Sequence, residues 1–176
     1  MSKTSREIVL DILLDIEKND RFAGEALGEA LRANQFMNKK ERAYIGRLTE
    51  GVTEQKIRLD YILNQFSKVK VNKQKPVIRT ILRSSVYQLK YMDSVPDHAV
   101  CSEAVKLAVR KGFSGLKGYV NGVLRSVARG LDTLDYPQEG IEALSIQYSI
   151  PTWILRLWEK SYGEEVTRTM AADFLK

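Results

Sequence analysis

The apolar residues of this chain recur at helical spacing from end to end, and this periodicity constrains its fold more than any other feature. Ile8, Val9, Ile12 and Leu13 fall three or four positions apart, as on one face of a helix. Later segments keep the same spacing, and no segment alternates convincingly with the period of two that marks a half-buried strand. The sequence therefore predicts an all-α fold.

Local start and stop signals divide this pattern into separate helices. Thr4 and Asn38 each stand three residues before a glutamate, in the form of a capping box. Pro76 suits the first turn of a later helix, because a proline there gives up no helical hydrogen bond. Gly112 and Gly130 suit helix ends. These signals predict a helical domain over residues 1–130.

The composition changes after that domain. Residues 131–148 contain Asp135, Pro137 and Gly140 and are predicted to form a linker. Residues 149–176 are predicted to begin a following helical segment, which reaches the last residue without a stop signal. We therefore expect residues 1–176 to be a piece of a longer protein.

The charge is concentrated in the middle of the sequence. The net charge is +6, but residues 34–92 carry thirteen cations and four anions, whereas residues 131–176 carry four cations and eight anions. A basic belt between acidic ends indicates one face that could bind a polyanion. No apolar run has the length of a signal peptide or a membrane span, so we expect a cytoplasmic protein that does not enter membranes.

One segment, KGYVNGVLRSVAR at 117–129, repeats polar residues every four positions. Lys117, Asn121, Arg125 and Arg129 form a slanted stripe on one side of a helix, because steps of four drift by only about 40°. A stripe of donors without a carboxylate is suited to RNA phosphates. Asn121 has a second interpretation, in which it caps or bridges to a neighbouring loop.

Other cations are candidates for the same role. Arg79 and Arg83 lie four residues apart after Pro76, and their forked guanidinium groups suit phosphate. Lys3 and Arg6 flank the start of the first helix, where backbone N–H groups favour anions. A run of four lysines in a loop rich in Val, Asn and Gln is predicted to be ordinarily solvated; they are Lys68, Lys70, Lys73 and Lys75.

The sequence carries no recognisable catalytic or metal-binding set. A single cysteine, Cys101, and a single histidine, His98, exclude a disulfide within the chain and make a zinc site very unfavourable. We expect Cys101 to be a small core residue and His98 to be either a helix-start residue or a partly buried structural residue. Trp153 and Trp158, with Leu157, are predicted to be buried as packing anchors of the C-terminal segment. The chain as it stands is therefore predicted to be non-catalytic and to bind no cofactor.

Three segments resemble the all-helical domain of the transcription antitermination factor NusB. They are ERAYIGRLTEGV at 41–52, LRSSVYQLKYMDSVPDHAVCSEAVKLA at 82–108 and GYVNGVLR at 118–125. The segment SIPTWILRLWEKSYG at 149–163 is similar to the one that follows this domain in bacterial small-subunit rRNA cytosine-5 methyltransferases of the Sun/Fmu (RsmB) group.

This resemblance implies a NusB-like bundle with a short C-terminal helical extension that recruits ribosomal RNA. It implies a catalytic domain beyond this chain, of Rossmann type, which uses S-adenosylmethionine and a cysteine nucleophile and which would be a partner of the bundle. Two alternatives remain. One is a stand-alone antitermination factor that binds RNA and a ribosomal protein, and the other is a structural module that docks on its own catalytic domain.

Overall fold

The computed structural model describes residues 3–175, and these residues form helices joined by short turns, with no strand among them. The α-helices are α1 (Ser5–Asn19), α2 (Ala23–Ala33), α3 (Lys39–Glu54), α4 (Lys56–Phe66), α5 (Pro76–Tyr91), α6 (Asp97–Arg110), α7 (Lys117–Gly130), α8 (Gly140–Tyr148), α9 (Thr152–Tyr162) and α10 (Glu164–Asp173). Short 3-10 turns lie at Val71–Lys73, Ser114–Leu116 and Leu131–Thr133. The all-α prediction is confirmed.

The predicted start signals occupy the predicted positions. The hydroxyl of Thr4 accepts a hydrogen bond from the Glu7 backbone N–H at 3.2 Å, and Asn38 Oδ1 accepts one from the Glu41 N–H at 2.8 Å. Each bond satisfies a backbone donor that the first turn of a helix leaves unpaired. Pro76 opens α5.

The core is built around α5, which packs against α1, α3, α4, α6 and α7. Because α5 is surrounded, residues on several of its sides are buried, among them Ile78, Ile81, Leu82 and Val86. Each such side chain contributes about 1.5–3 kcal/mol when it leaves water. The same helix also holds Arg83 in a buried position, which requires a partner for its charge.

Helices α6 and α7 form a hairpin whose turn contains Gly112. Gly112 has φ +88°, a conformation that residues with a Cβ rarely adopt. The four apolar residues of α7 that face inward are Val120, Val123, Leu124 and Val127. The opposite face of α7 is left to solvent.

The C-terminal extension, residues 131–175, is packed against the bundle. Helix α8 lies on α4, and the Ser149 hydroxyl accepts a hydrogen bond from the Ile57 backbone N–H at 3.0 Å. Helices α9 and α10 pack on α8 around a small second core that contains Ile150, Leu155 and Ala171. The range predicted as a linker, 131–148, thus includes the helix α8.

The burial predicted for the apolar residues of α9 is wrong in two of three cases. Trp158 is partly buried and meets Phe174 edge to face, with ring centroids 6.0 Å apart. Trp153 and Leu157 are instead 65% and 55% exposed. The reason is helical geometry: Leu155 and Trp158 point to α8 and α10, and Trp153 lies on the other side of the same helix.

The segment between α7 and α8 is fixed by Tyr136. Its ring lies 5.5 Å from the ring of Tyr61, and Arg58 and Lys90 lie over it at 4.9 and 5.8 Å. The Tyr61 hydroxyl also donates to the Asp135 carbonyl oxygen at 2.8 Å. We call Tyr136 with Arg58, Tyr61 and Lys90 the Tyr136 clamp. Within residues 3–175, none of the helices has the length and hydropathy needed to cross a bilayer.

Candidate nucleic-acid interface

The stripe predicted on α7 is present and faces solvent. Lys117, Arg125 and Arg129 are exposed, and Asn121 is half-buried between them. Asn121 Oδ1 accepts a hydrogen bond from Arg125 Nε at 3.4 Å, and Arg129 donates to the Ser126 hydroxyl at 3.4 Å. Within residues 3–175, none of the three cations has a carboxylate oxygen within 4.0 Å. Their charges are available to an external anion.

Arg79 and Arg83 are engaged inside the protein. Arg83 Nε and Nη2 donate to the two carboxylate oxygens of Asp60 at 2.7 and 2.9 Å, and its side chain is only 10% exposed. Arg79 pairs with Glu17 of α1 and donates to the Gln74 carbonyl oxygen at 3.2 Å. Burial lowers the pKa of Arg79, and the nearby charge of Arg83 adds to that effect. Both arginines join helices to each other, which leaves little of their charge for RNA.

Lys3 and Arg6 are also occupied, though less completely. Lys3 pairs with Asp11 at 2.6 Å and stays exposed. Arg6 donates to Gln88 Oε1 at 3.1 Å and lies 5.7 Å from the ring centroid of Tyr44. The structure therefore does not bring all the predicted cations into one cluster, and the α7 stripe is the part that remains open.

A second group of open cations lies on the loop between α4 and α5, which we call the lysine loop (residues 67–75). Its four lysines were predicted to be ordinary solvated residues, and they are exposed without an ion pair among the residues described; they are Lys68, Lys70, Lys73 and Lys75. The backbone between them is held in place. Val71 is buried, and its N–H donates to Asn64 Oδ1 at 2.9 Å.

The hydroxyl of Tyr119 ties this loop to the start of α7. It forms a short hydrogen bond with the Ser67 hydroxyl and accepts one from Gln74 Nε2 at 2.8 Å. Gln74 Nε2 also donates a hydrogen bond to the Val69 carbonyl oxygen at 3.2 Å. The buried amide of Gln74 therefore connects the end of the lysine loop to its beginning. Gln74 Oε1 is buried without a hydrogen-bond partner, which is uncommon for an amide oxygen. The loop is thus a fixed platform for its lysines.

An apolar cleft of about 180 Å³ opens beside these lysines. Leu116 and Tyr119 at the start of α7 line this cleft together with four residues of the lysine loop and Ile78 of α5. Lys117 follows Leu116 directly, so the lysine loop and the α7 stripe meet at this end of the bundle. We call the lysine loop, the cleft and Lys117 together the basic end.

Sequence reasoning missed the basic end because its parts are far apart in the chain. Ser67 and Tyr119 are separated by 52 residues, and no local pattern reports their contact. One signal was available: the stretch SKVKVNKQK at 67–75 interleaves lysines with valines, and one of these valines, Val71, is buried.

Cys101 and His98, the single cysteine and the single histidine of the chain, both lie on α6 but differ in burial. Cys101 is fully buried in the core, and this burial raises the pKa of its thiol, with the nearby Arg125 opposing the shift. His98 is exposed in the first turn of α6. Among residues 3–175, no three His, Cys, Asp or Glu side chains are grouped as metal ligands.

Proteins of two kinds are similar to this chain in sequence. Probable ribosomal RNA small subunit methyltransferase B of Bacillus subtilis (strain 168) is 35% identical over 167 residues, which are 94% of this chain and 37% of that protein. Transcription antitermination protein NusB of Ruminiclostridium cellulolyticum is 32% identical over 140 residues, which are 78% of this chain and 92% of that protein. The chain thus spans about a third of the length of the methyltransferase relatives.

Solved structures share the fold. A chain in the crystal structure of the antitermination factors NusB and NusE in complex with dsRNA matches 72% of this chain and 94% of its own length, with a TM-score of 0.66 and 21% identity. The crystal structure of PH0851 matches the whole of this chain and 40% of its own length, with a TM-score of 0.76 and 15% identity. The arrangement of bundle and extension therefore recurs in a longer protein.

The model of the NusB family matches residues 3–129, which end one residue before the end of α7 and contain both the α7 stripe and the basic end. This match covers well over half of the chain, and we conclude that the chain belongs to the NusB family.

Proposed function

We propose that this chain binds single-stranded RNA through the basic end and the α7 stripe. The observation that carries the proposal is a set of lysines that form no ion pair within residues 3–175 and are held on a fixed loop around an apolar cleft. The lysines supply the electrostatic part of RNA binding, because each phosphate that they neutralise releases counterions.

The apolar cleft favours single-stranded RNA over a double helix, because only an unstacked base can enter it. Single-stranded RNA can turn a base out of its stack, and such bases pack on aromatic and apolar side chains. Tyr119 and Leu116 offer this packing beside Lys73 and Lys75. In this arrangement the phosphates lie on the lysines and one base enters the cleft.

We further propose that the chain is the RNA-recruiting domain of a small-subunit rRNA cytosine-5 methyltransferase. The methyltransferase relative supports this proposal because its match extends over 94% of the chain, which includes part of the extension beyond the family model. On this proposal the ligand is ribosomal RNA, and S-adenosylmethionine binds a catalytic domain outside residues 1–176. The bundle would hold the RNA while that domain transfers the methyl group.

A stand-alone antitermination factor is the second candidate. It is favoured by the relative from Ruminiclostridium cellulolyticum, 92% of whose length this chain matches. It would bind RNA together with a second protein, as the complex of NusB and NusE with dsRNA does. Reading the gene past codon 176 separates the two: a methyltransferase requires a long continuation with a glycine-rich loop, and the factor requires a nearby stop codon.

The RNA-binding proposal is tested by the salt dependence of binding to a single-stranded rRNA fragment. The double variant Lys70→Gln with Lys73→Gln should flatten the log–log salt slope by about 1.4, since each contact to a single strand contributes about 0.7. The control is Lys40→Gln on α3, which removes an exposed lysine away from the basic end and should leave the slope unchanged. Equal slopes in the double variant and the native protein would exclude the lysine loop as the RNA site.

A further inference from the structure

The outer face of α9 carries an apolar patch that nothing in the described structure covers. Trp153 and Leu157 lie one helical turn apart on this face, and both are more than half exposed. The opposite face of α9 is already used, since Leu155 is fully buried in the small core of the extension. Arg156 and Lys160 flank the two apolar residues and are exposed.

Exposed apolar side chains are concentrated in this extension. Six of the ten large hydrophobic residues that are exposed in residues 3–175 lie on α9, on α10 or directly after it: Trp153, Leu157, Tyr162, Val166, Phe174 and Leu175. A single exposed apolar residue is ordinary, but neighbouring exposed apolar side chains, such as Trp153 and Leu157, mark an interaction surface. Tryptophan and arginine, here Trp153 and Arg156, are also the residue types enriched at the energetic centres of interfaces.

We propose that the Trp153–Leu157 face is the docking surface for the domain that follows this region in the longer, methyltransferase-like chain. This inference rests on the proposed function. The family model ends at residue 129, before the extension begins, whereas the match to PH0851 includes the whole extension and leaves 60% of that longer protein outside it. The extension therefore accompanies a longer chain, and that chain is the occupant we assign to its open face.

The charge around the patch argues against a second copy of this chain as the occupant. Arg156 and Lys160 lie beside Trp153 and Leu157, so two α9 helices packed through this face would bring four cations together. Like charges across an interface disfavour association. The complementary partner is an apolar surface edged by carboxylates, and Arg156 and Lys160 would pair with that edge.

The test measures how fast a cysteine reacts on this face. Leu157→Cys is prepared both in residues 1–176 and in the product of the whole open reading frame, and labelling by a maleimide is followed by mass spectrometry. Cys101 is fully buried and gives a low background. We expect labelling at position 157 to be slower by about ten-fold or more in the longer protein, because the docked domain must open first. Trp153→Cys provides a second position and should behave alike.

Phe36→Cys is the matched control, because Phe36 is 80% exposed on the bundle and its labelling should be equal in both proteins. A reading frame that stops after codon 176 overturns the inference, as does fast labelling at positions 153 and 157 in the longer protein. Labelling in residues 1–176 that slows with protein concentration also overturns it, because the occupant is then a second copy. The salt slope of RNA binding, measured on the same samples, reports separately on the RNA-binding proposal.

Discussion

Removing the Arg83 side chain should destabilise the bundle and leave RNA binding intact. Arg83 on α5 makes two hydrogen bonds to the Asp60 carboxylate on α4, and its side chain is 10% exposed. In Arg83→Ala both bonds are lost, and Asp60 keeps its charge at a partly buried position without a partner. Breaking a buried pair from one side typically costs about 3–5 kcal/mol.

The expected loss lies at or just below the lower limit of that range, because the Asp60 side chain remains 26% exposed and water can solvate part of its charge. We expect Arg83→Ala to lower the free energy of unfolding by about 2–3 kcal/mol in a urea titration. For a chain of this length the melting temperature should fall by about 4–12 °C. The double variant Arg83→Met with Asp60→Leu should recover most of the loss, since it leaves no unpaired charge.

Arg125→Ala is the matched comparison, because Arg125 is exposed and has no carboxylate partner among the described residues. It should change stability by less than about 0.5 kcal/mol and flatten the salt slope of RNA binding by about 0.7. Arg83→Ala should give the opposite result, a large loss of stability with an unchanged slope for the folded fraction. A flattened slope in Arg83→Ala with little loss of stability would refute this division of roles.

Three further predictions follow from packing and burial. Gly51→Ala should lower the free energy of unfolding by about 1–3 kcal/mol, because the added Cβ would meet a tyrosine ring of α5; Gly46→Ala in the same helix meets nothing and should be neutral or stabilising in the same urea titration. In Trp158→Phe, the exposed Trp153 should emit as solvated tryptophan, and urea should shift its emission little. Burial raises the pKa of Cys101, and the native thiol should resist Ellman's reagent. The contribution of this thiol to stability should be complete below pH 9.0 and should disappear as the pH rises through the pKa of the folded state.

The helices could be predicted from the sequence because their signals are local. Thr4 and Asn38 cap the helices that they precede, and Pro76 begins α5, as the spacing predicted. A cap depends on residues three positions apart, so the sequence contains all the information that it needs. Helix α8 was not predicted, because the Pro137 and Gly140 nearby indicate a loop and its nine residues show no clear apolar face.

The candidate site was harder to predict, because the state of a cation depends on distant residues. Arg79 and Arg83 resembled phosphate ligands in sequence, but their partners Glu17 and Asp60 lie 62 and 23 positions away. The lysine loop shows the opposite case, in which a contact across the fold turns an ordinary loop into a fixed platform. The α7 stripe was accessible to sequence reasoning because one helix contains all four of its members.

The Tyr136 clamp makes the joint between bundle and extension stiff. A free chain of the nine residues 131–139 would have a root-mean-square span of roughly 17 Å and no preferred direction. The ring of Tyr136, held by Arg58, Tyr61 and Lys90, removes that freedom when the protein folds, so later binding events do not lose the same entropy again. On the proposed function, RNA held at the basic end would therefore lie at a fixed distance and angle from α9, so that the bundle and the extension together set the spacing between the two surfaces.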